Sequence, residues 1–347
     1  MSVLAQTDPF LLAASGKQAA HTPVWFMRQA GRSLPEYRAV RGSGSILEAI
    51  KNPRLAADIT LQPVTRYGVD AAVLYSDIVV PAHAIGFGID VAPGTGPVAE
   101  RPLRSASDVD RLRPYEPDED APYVGETIDL LVSELRVPLL AFAGAPFTVG
   151  SYLIEGRPSR THEVTRSLMT NEPVTWHRVM ERLTDHAIAS IASQLDHGAR
   201  AYQLFDSWAG SLTVEEYRSF VLPHTARVFA TLSDRYPHVS GIHFGVGCDH
   251  LLEAINETGC AVVGLDWRSS ISDARRRLVA DLVVQGNLDP SLVLGGVAEA
   301  LAGVDAVLGD NAGHPGHIFN LGHGVQPETN PDVLSEVVRY VHERTAR

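Results

Sequence analysis

Eight short apolar runs rich in β-formers, at 24–27, 71–75, 139–143, 201–205, 241–244, 261–265, 282–285 and 317–321, alternate with stretches of helical patterning. Strands that alternate with helix-sized segments indicate βα units around a parallel sheet. Eight is the number that closes a (β/α)₈ barrel. The expected fold class is therefore α/β, a TIM-type barrel with its cleft at the carboxyl ends of the strands.

Helix punctuation supports this rhythm. Pro53 opens a first turn before 54–67, with Gly68 as a stop, and Leu251, Leu252 and Ile255 form a helical stripe that ends at Gly259. The last helix is expected to start near Asn330-Pro331, and a short helix at 7–15 precedes the first run. The stretch 86–101, with Pro93, Gly94, Gly96 and Pro97, reads as a hairpin inserted after the second run. No sequence repeat is visible beyond the βα rhythm.

A chain of 347 residues has the length of two ordinary domains, but α/β barrels use this length as one unit, so a single domain over 1–347 is expected. With 45% apolar and 20% charged residues, it has the composition of a soluble globular protein. The net charge of −12 argues against nucleic-acid binding and against adsorption to anionic membrane. It also requires that any site for an acidic ligand be a local concentration of arginine. Two cysteines, Cys248 and Cys260, are too few for a disulfide framework. No positive region precedes the brief apolar stretch at 10–14, and no run has the length of a membrane span, so a cytoplasmic protein with reduced thiols is expected.

Barrel enzymes carry their chemistry where strands end. The runs here lead into Arg28-Gln29, Ser76-Asp77, Gly144-Ala145-Pro146, Asp206-Ser207, Gly245-Val246, Asp266-Trp267, Gly286-Asn287 and Gly322-His323. Arg28 and Arg32 flank the small Gly31, and two permanently charged planar forks suit a ligand with several carboxylates. Ordinary surface charge on a loop is the plainer reading. Arginines nearby would keep Asp77 ionised, able to accept hydrogen bonds and to stabilise a cation; a turn or helix-capping aspartate fits the same position.

The segment Met27-Arg28-Gln29-Ala30-Gly31-Arg32, followed by Leu34-Pro35-Glu36-Tyr37-Arg38, resembles the signature of the uroporphyrinogen decarboxylase family of haem biosynthesis. The resemblance continues through Tyr75-Ser76-Asp77-Ile78-Val79-Val80-Pro81, Phe147-Thr148-Val149-Gly150-Ser151-Tyr152, Phe205-Asp206-Ser207-Trp208-Ala209-Gly210 and Phe319-Asn320-Leu321-Gly322-His323-Gly324-Val325. Gly264-Leu265-Asp266-Trp267 and Gln285-Gly286-Asn287-Leu288-Asp289-Pro290 extend it across nearly the whole chain. One departure is Ser33, where many relatives carry an aromatic residue.

The resemblance implies a barrel enzyme that removes carbon dioxide from the four acetate side chains of uroporphyrinogen III, giving coproporphyrinogen III without cofactor or metal. It gives Asp77 the pyrrole N–H groups, with Arg28 and Arg32 as further catalytic residues, one of which, or a water they hold, passes the proton. It implies a substrate-binding set of Arg28, Gln29, Ala30, Gly31, Arg32, Asp77, Tyr152, Phe205, Ser207 and His323. It also implies a homodimer whose clefts face each other.

Each assignment has a structural alternative. Tyr152 and Phe205 also suit packing, Ser207 a helix cap, and His323 a satisfied loop histidine. His243, Cys248, His250 and Cys260 cluster in sequence, but their spacing is not that of a zinc site, and His314 with His317 falls short of a ligand set. No metal is expected. Gly42-Ser43-Gly44 and Gly245-Val246-Gly247 lack the dinucleotide fingerprint and the P-loop lysine. Two rival functions remain: a related barrel methyltransferase that uses zinc on a corrinoid or thiol, and a tetrapyrrole carrier without catalysis.

Overall fold

The computed structural model describes residues 7–31, 33–42, 44–92, 94–278 and 282–347. Nine strands occur among them: β1 (Ala72–Val73), β2 (Ile89–Ala92), β3 (Gly96–Ala99), β4 (Leu139–Gly144), β5 (Ala201–Asp206), β6 (Ser240–Gly245), β7 (Val262–Gly264), β8 (Val283–Gln285) and β9 (His317–Ile318). Seven form one parallel sheet in the order β1-β4-β5-β6-β7-β8-β9, each pairing with the next strand of that sheet. β2 and β3 form a separate antiparallel hairpin.

Proline and side-chain caps set the helix starts. Pro53–Tyr67 begins with Asn52 accepting the Leu55 N–H at 3.2 Å and ends at Gly68 with φ +69°. Pro331–Thr345 begins with Asn330 accepting from the Asp332 N–H at 3.0 Å. Pro146–Glu155 and Pro173–Asp196 also open on proline, whose missing N–H is no loss at a first turn. The stripe around Leu252 forms only a short helix, Leu252–Asn256, after one 3₁₀ turn.

Alternation along the strands builds two apolar layers. Val73, Leu140, Ala201, Ile242, Val262, Val283 and Ile318, one from every strand of the sheet, meet in a single cluster. Their neighbours Ala72, Leu139, Leu204, Val263 and Val284 pack into the larger core that includes the surrounding helices. Residues from both edge strands share one cluster, so the sheet is curled. Helix Pro9–Ala14 closes its amino-terminal end with Phe10 fully buried, worth about 2–3 kcal/mol of apolar burial. Ser240 Oγ donates to the Ala14 carbonyl at 3.0 Å, satisfying a group the end of that helix leaves unpaired.

The run 24–27 differs from expectation, because it is not a strand. Val24 forms only an isolated parallel bridge with Phe319. The reason is local: the Phe26 N–H is taken by Gln29 Oε1 at 2.9 Å, and the Met27 N–H by Asn320 Oδ1 at 3.2 Å. Side chains supply acceptors where a ladder would use carbonyls. The run still touches both edges of the sheet. Trp25 N–H donates to the Phe319 carbonyl at 3.3 Å, while the Val24 carbonyl accepts from Asp70 N–H at 2.8 Å.

A polar chain crosses the inner layer. Trp25 Nε1 donates to Gln285 Oε1 at 2.9 Å, and Gln285 Nε2 donates to Gln203 Oε1 at 2.8 Å. These buried hydrogen bonds tie the 24–27 run to β8 and β5, with Gln203 Nε2 at the end of the chain left without a partner.

Candidate active site

The loops at the carboxyl ends of the strands bring Asp77, Tyr152 and His323 within electrostatic reach of Arg28. Arg28 has φ +61°, a left-handed conformation that a non-glycine residue adopts at a cost. The turn is held from below by the fully buried Gln29, which accepts from Phe26 and donates from Nε2 to the Ala71 carbonyl at 3.0 Å. The Gln29 side chain is thus committed to the backbone on either side of the Arg28 turn. Gly31 sits 3.0 Å, measured from an added Cβ, from the Arg28 carbonyl, so a small residue is required there. Ala30 is partly buried against the core. Arg32 lies outside the described residues. Ser33, the departure from the family pattern, is buried.

Gly324, in the loop after β9, makes room for the Arg28 side chain. A Cβ at Gly324 would lie 2.6 Å from Arg28 Cδ and 2.8 Å from Cγ. The Val325 N–H donates to the Met27 carbonyl at 2.8 Å and locks the two loops together. Gly324→Ala is therefore expected to displace the guanidinium and, if Arg28 binds the ligand, to raise KM about tenfold with little change in Tm, as read by steady-state kinetics and thermal melting.

Asp77 follows β1 and serves as a turn residue. Its Oδ1 accepts the Val79 N–H at 3.0 Å at the start of helix Val80–Ala84. Burial raises its pKa above the usual carboxylate range, opposed by the Val79 N–H, the Arg28 charge and the Ile78 N–H. Arg28 acts in the expected direction, toward the ionised carboxylate, while loss of water contacts acts against it and is the larger effect on the pKa. Gly144, at the end of β4, permits the approach, since a Cβ there would lie 2.9 Å from Ile78 Cβ.

Tyr152 sits on helix Pro146–Glu155 with its ring centroid 3.9 Å from that of Trp208. Burial first, then the Asp77 charge, push its pKa up to about 12, with Arg28 pulling the other way. Its hydroxyl therefore stays protonated as a donor. His323 is held below the usual imidazole range by burial and by Arg28, with Asp266 opposing and Arg268 adding to the effect. Arg28 thus acts on Asp77, Tyr152 and His323 together, and no ion pair joins it to an acid among the described residues.

Phe205 points to the inner layer, edge-on to Phe142 at 5.5 Å and to Phe244 at 6.2 Å, and forms an aromatic floor. Ser207 is half-buried beside Trp208, whose N–H donates to Thr148 Oγ1 at 3.3 Å. Asp206, one residue earlier, faces away from the inner layer. It is fully buried, accepts from Thr148 Oγ1 at 2.8 Å and lies 3.6 Å from His243 Nε2.

Arg268 is a cleft residue that the sequence reading missed. Its guanidinium stacks over the Trp267 ring at 4.4 Å and pairs with Asp266 at 2.5 Å, and the Trp267 ring lies edge-on to His323 at 6.3 Å. The signal was present as a cation two positions after the exit aspartate of β7. Of the weighed metal-ligand candidates, His250 bonds the Leu212 carbonyl at 2.8 Å, His317 the Gly286 carbonyl at 2.7 Å, and both cysteines are buried and free.

The family model for uroporphyrinogen decarboxylase (URO-D) matches residues 5–344. A uroporphyrinogen decarboxylase of Salinispora tropica is 54% identical over 341 residues, covering 98% of this chain and 91% of the relative. One from Saccharopolyspora erythraea is 50% identical over 349 residues, covering 98% and 96%. Among solved structures, a methyltransferase from Methanosarcina mazei superposes with a TM-score of 0.79 at 17% identity over 97% of this chain and 98% of that one. A putative vitamin-B12 independent methionine synthase from Listeria monocytogenes gives 0.55 at 10% identity over 96% and 98%. At such identities the structural likeness concerns the fold alone.

Proposed function

The chain belongs to the uroporphyrinogen decarboxylase family, and on that premise we propose that it converts the four acetate side chains of uroporphyrinogen III to methyl groups, releasing carbon dioxide and coproporphyrinogen III. One observation carries the reading: relatives of that activity match at about half of all positions along nearly the full chain. The likeness to a methyltransferase is far more distant in sequence. On the same premise the seven-stranded sheet is closed into one barrel domain by the run 24–27, which stands in the place of an eighth strand between the two edges, and the protein works in the cytoplasm as a homodimer. No helix among the described residues is long and apolar enough to cross a membrane.

The chemistry needs an electron sink. Protonation of a pyrrole at its α-carbon makes the ring cationic; the bond to the carboxylate then breaks, its electron pair enters the ring and carbon dioxide leaves. A second proton, taken up at the exocyclic carbon, gives the methyl group as the α-proton is lost. Asp77 accepts the pyrrole N–H groups and stabilises the cation electrostatically. Arg28 and Arg32 orient substrate carboxylates, and Gln29, Ala30 and Gly31 shape their loop. Tyr152 and His323 contribute polar contacts, Ser207 a hydroxyl, and Phe205 an apolar surface for the macrocycle. The electrostatic link between Arg28 and three of these groups supports their acting on one ligand.

The experiment is anaerobic incubation of metal-stripped protein with uroporphyrinogen III, followed by oxidation and chromatography of the porphyrins. Stepwise loss of carboxylates to a four-carboxylate product is expected. Binding without conversion would make the protein a carrier, and zinc-dependent methyl transfer instead would make it a methyltransferase.

A further inference from the structure

At the opposite end of the sheet from Asp77, three residues distant in sequence point donor atoms at one another. His21 precedes the 24–27 run, Asp70 immediately precedes β1, and His342 lies on helix Pro331–Thr345. Asp70 Oδ1 is 2.9 Å from His21 Nε2, Asp70 Oδ2 is 2.8 Å from His342 Nε2, and the three donor atoms lie within 4.8 Å of one another. Among the described residues this is the one group of three or more histidine, cysteine or acidic side chains that converges in this way. The side chains are 23%, 11% and 27% exposed, so water reaches them while most of each is packed.

We propose that His21, Asp70 and His342 bind one divalent first-row transition ion of the zinc type, clasping the amino-terminal segment and the carboxyl-terminal helix to the start of β1. Two imidazole nitrogens and one carboxylate oxygen are a donor set such ions take, with water completing a tetrahedral shell. Metal–donor distances of about 2.1 Å in a tetrahedron imply donor separations of about 3.4 Å, so the contacts of His21 to Oδ1 and of His342 to Oδ2 open by about half an ångström as both imidazoles turn toward one ion. Without an ion, a shared proton occupies each Asp70–imidazole contact. Binding moves that proton to Nδ1 or releases it to water, leaving a lone pair on each Nε2 for the ion. Asp70 Oδ2 also accepts the Val24 N–H at 2.7 Å, which fixes the carboxylate. Asp8, close enough for its charge to act on both Asp70 and His21, adds a second negative group to the neighbourhood.

The test uses the full-length chain, stripped with chelator and titrated with zinc chloride, with bound metal and Tm as readouts. One zinc per chain and a Tm rise of several degrees are expected. His21→Gln and His342→Gln keep a hydrogen-bonding group beside Asp70, and each is expected to weaken zinc binding at least about a hundredfold and to abolish the Tm rise. Absence of stoichiometric zinc in the unaltered chain, or binding in both variants as strong as in the unaltered chain, would overturn the site. The readouts are binding and melting rather than turnover, so the outcome is independent of the decarboxylase reading.

Discussion

Asp77→Asn is expected to keep the fold and to lower kcat by about 10²–10³-fold, the usual cost of removing a preorganised group that stabilises transition-state charge. The amide preserves the shape and an acceptor oxygen for the Val79 N–H, so the turn into Val80–Ala84 survives. What is lost is the negative charge that a cationic pyrrole intermediate requires. The pH dependence follows from the direction of the Asp77 shift. Its folded-state pKa lies above the usual carboxylate value because burial dominates, so as pH falls the carboxylate protonates earlier than an exposed one. The acid limb of kcat/KM should therefore sit above the ordinary carboxylate range and be absent from the residual rate of the variant. The linkage has a definite sign: between the unfolded and folded pKa values the native state binds more protons, so stability falls as pH rises through that window. At neutral pH the asparagine variant should melt no lower than the unaltered protein. Turnover within threefold of normal would remove Asp77 from the mechanism.

Arg28→Ala is expected to raise KM for uroporphyrinogen by about ten- to a hundredfold, since charge-assisted hydrogen bonds to a carboxylate contribute about 1.5–3 kcal/mol. A second signature separates the clamp from a general packing defect. Arg28 lowers the pKa of Asp77, so its loss moves the acid limb further up in pH, while the imidazole of His323 becomes easier to protonate. Arg28→Lys keeps the charge but not the fork, and should show a near-normal acid limb with a KM between the two. The left-handed backbone at Arg28 supplies a control, because Arg28→Gly relieves the strain while removing the side chain. It should bind substrate as poorly as Arg28→Ala and melt at a higher temperature. An unchanged KM in both variants would contradict the clamp.

Much of the architecture is legible in the sequence because parallel strands and Pro-led helices leave local marks. The run that becomes β4 is apolar along its length, those that become β5 and β6 are interrupted only by Gln203 and His243, and Asn52-Pro53 and Asn330-Pro331 mark helix starts that the structure reproduces. The run 24–27 has the same composition as those strands, yet Gln29 and Asn320 side chains take the N–H groups a ladder would use. A pattern of apolar residues cannot reveal that substitution. Gln29 illustrates the limit at the site: the family resemblance implies a ligand contact, and only the structure shows both of its amide atoms bonded to the loop backbone.

Asp77 was placed by its position after a strand, but the balance between burial and Arg28 depends on packing from β4 and the loop after it. Arg268 stands on the rim only because Trp267 and Asp266 hold its guanidinium, a geometry set by the exit of β7. His21, Asp70 and His342 lie 49 and 272 positions apart in pairs that share one carboxylate. Only the closing of the chain's two ends against β1 brings them together.

The most direct test of the account is a crystal structure of the protein with coproporphyrinogen III introduced anaerobically. The account predicts pyrrole nitrogens within about 2.7–3.2 Å of the Asp77 carboxylate, with side-chain carboxylates of the macrocycle on Arg28. A macrocycle bound elsewhere, or in the cleft with Asp77 out of reach of every pyrrole nitrogen, would contradict it.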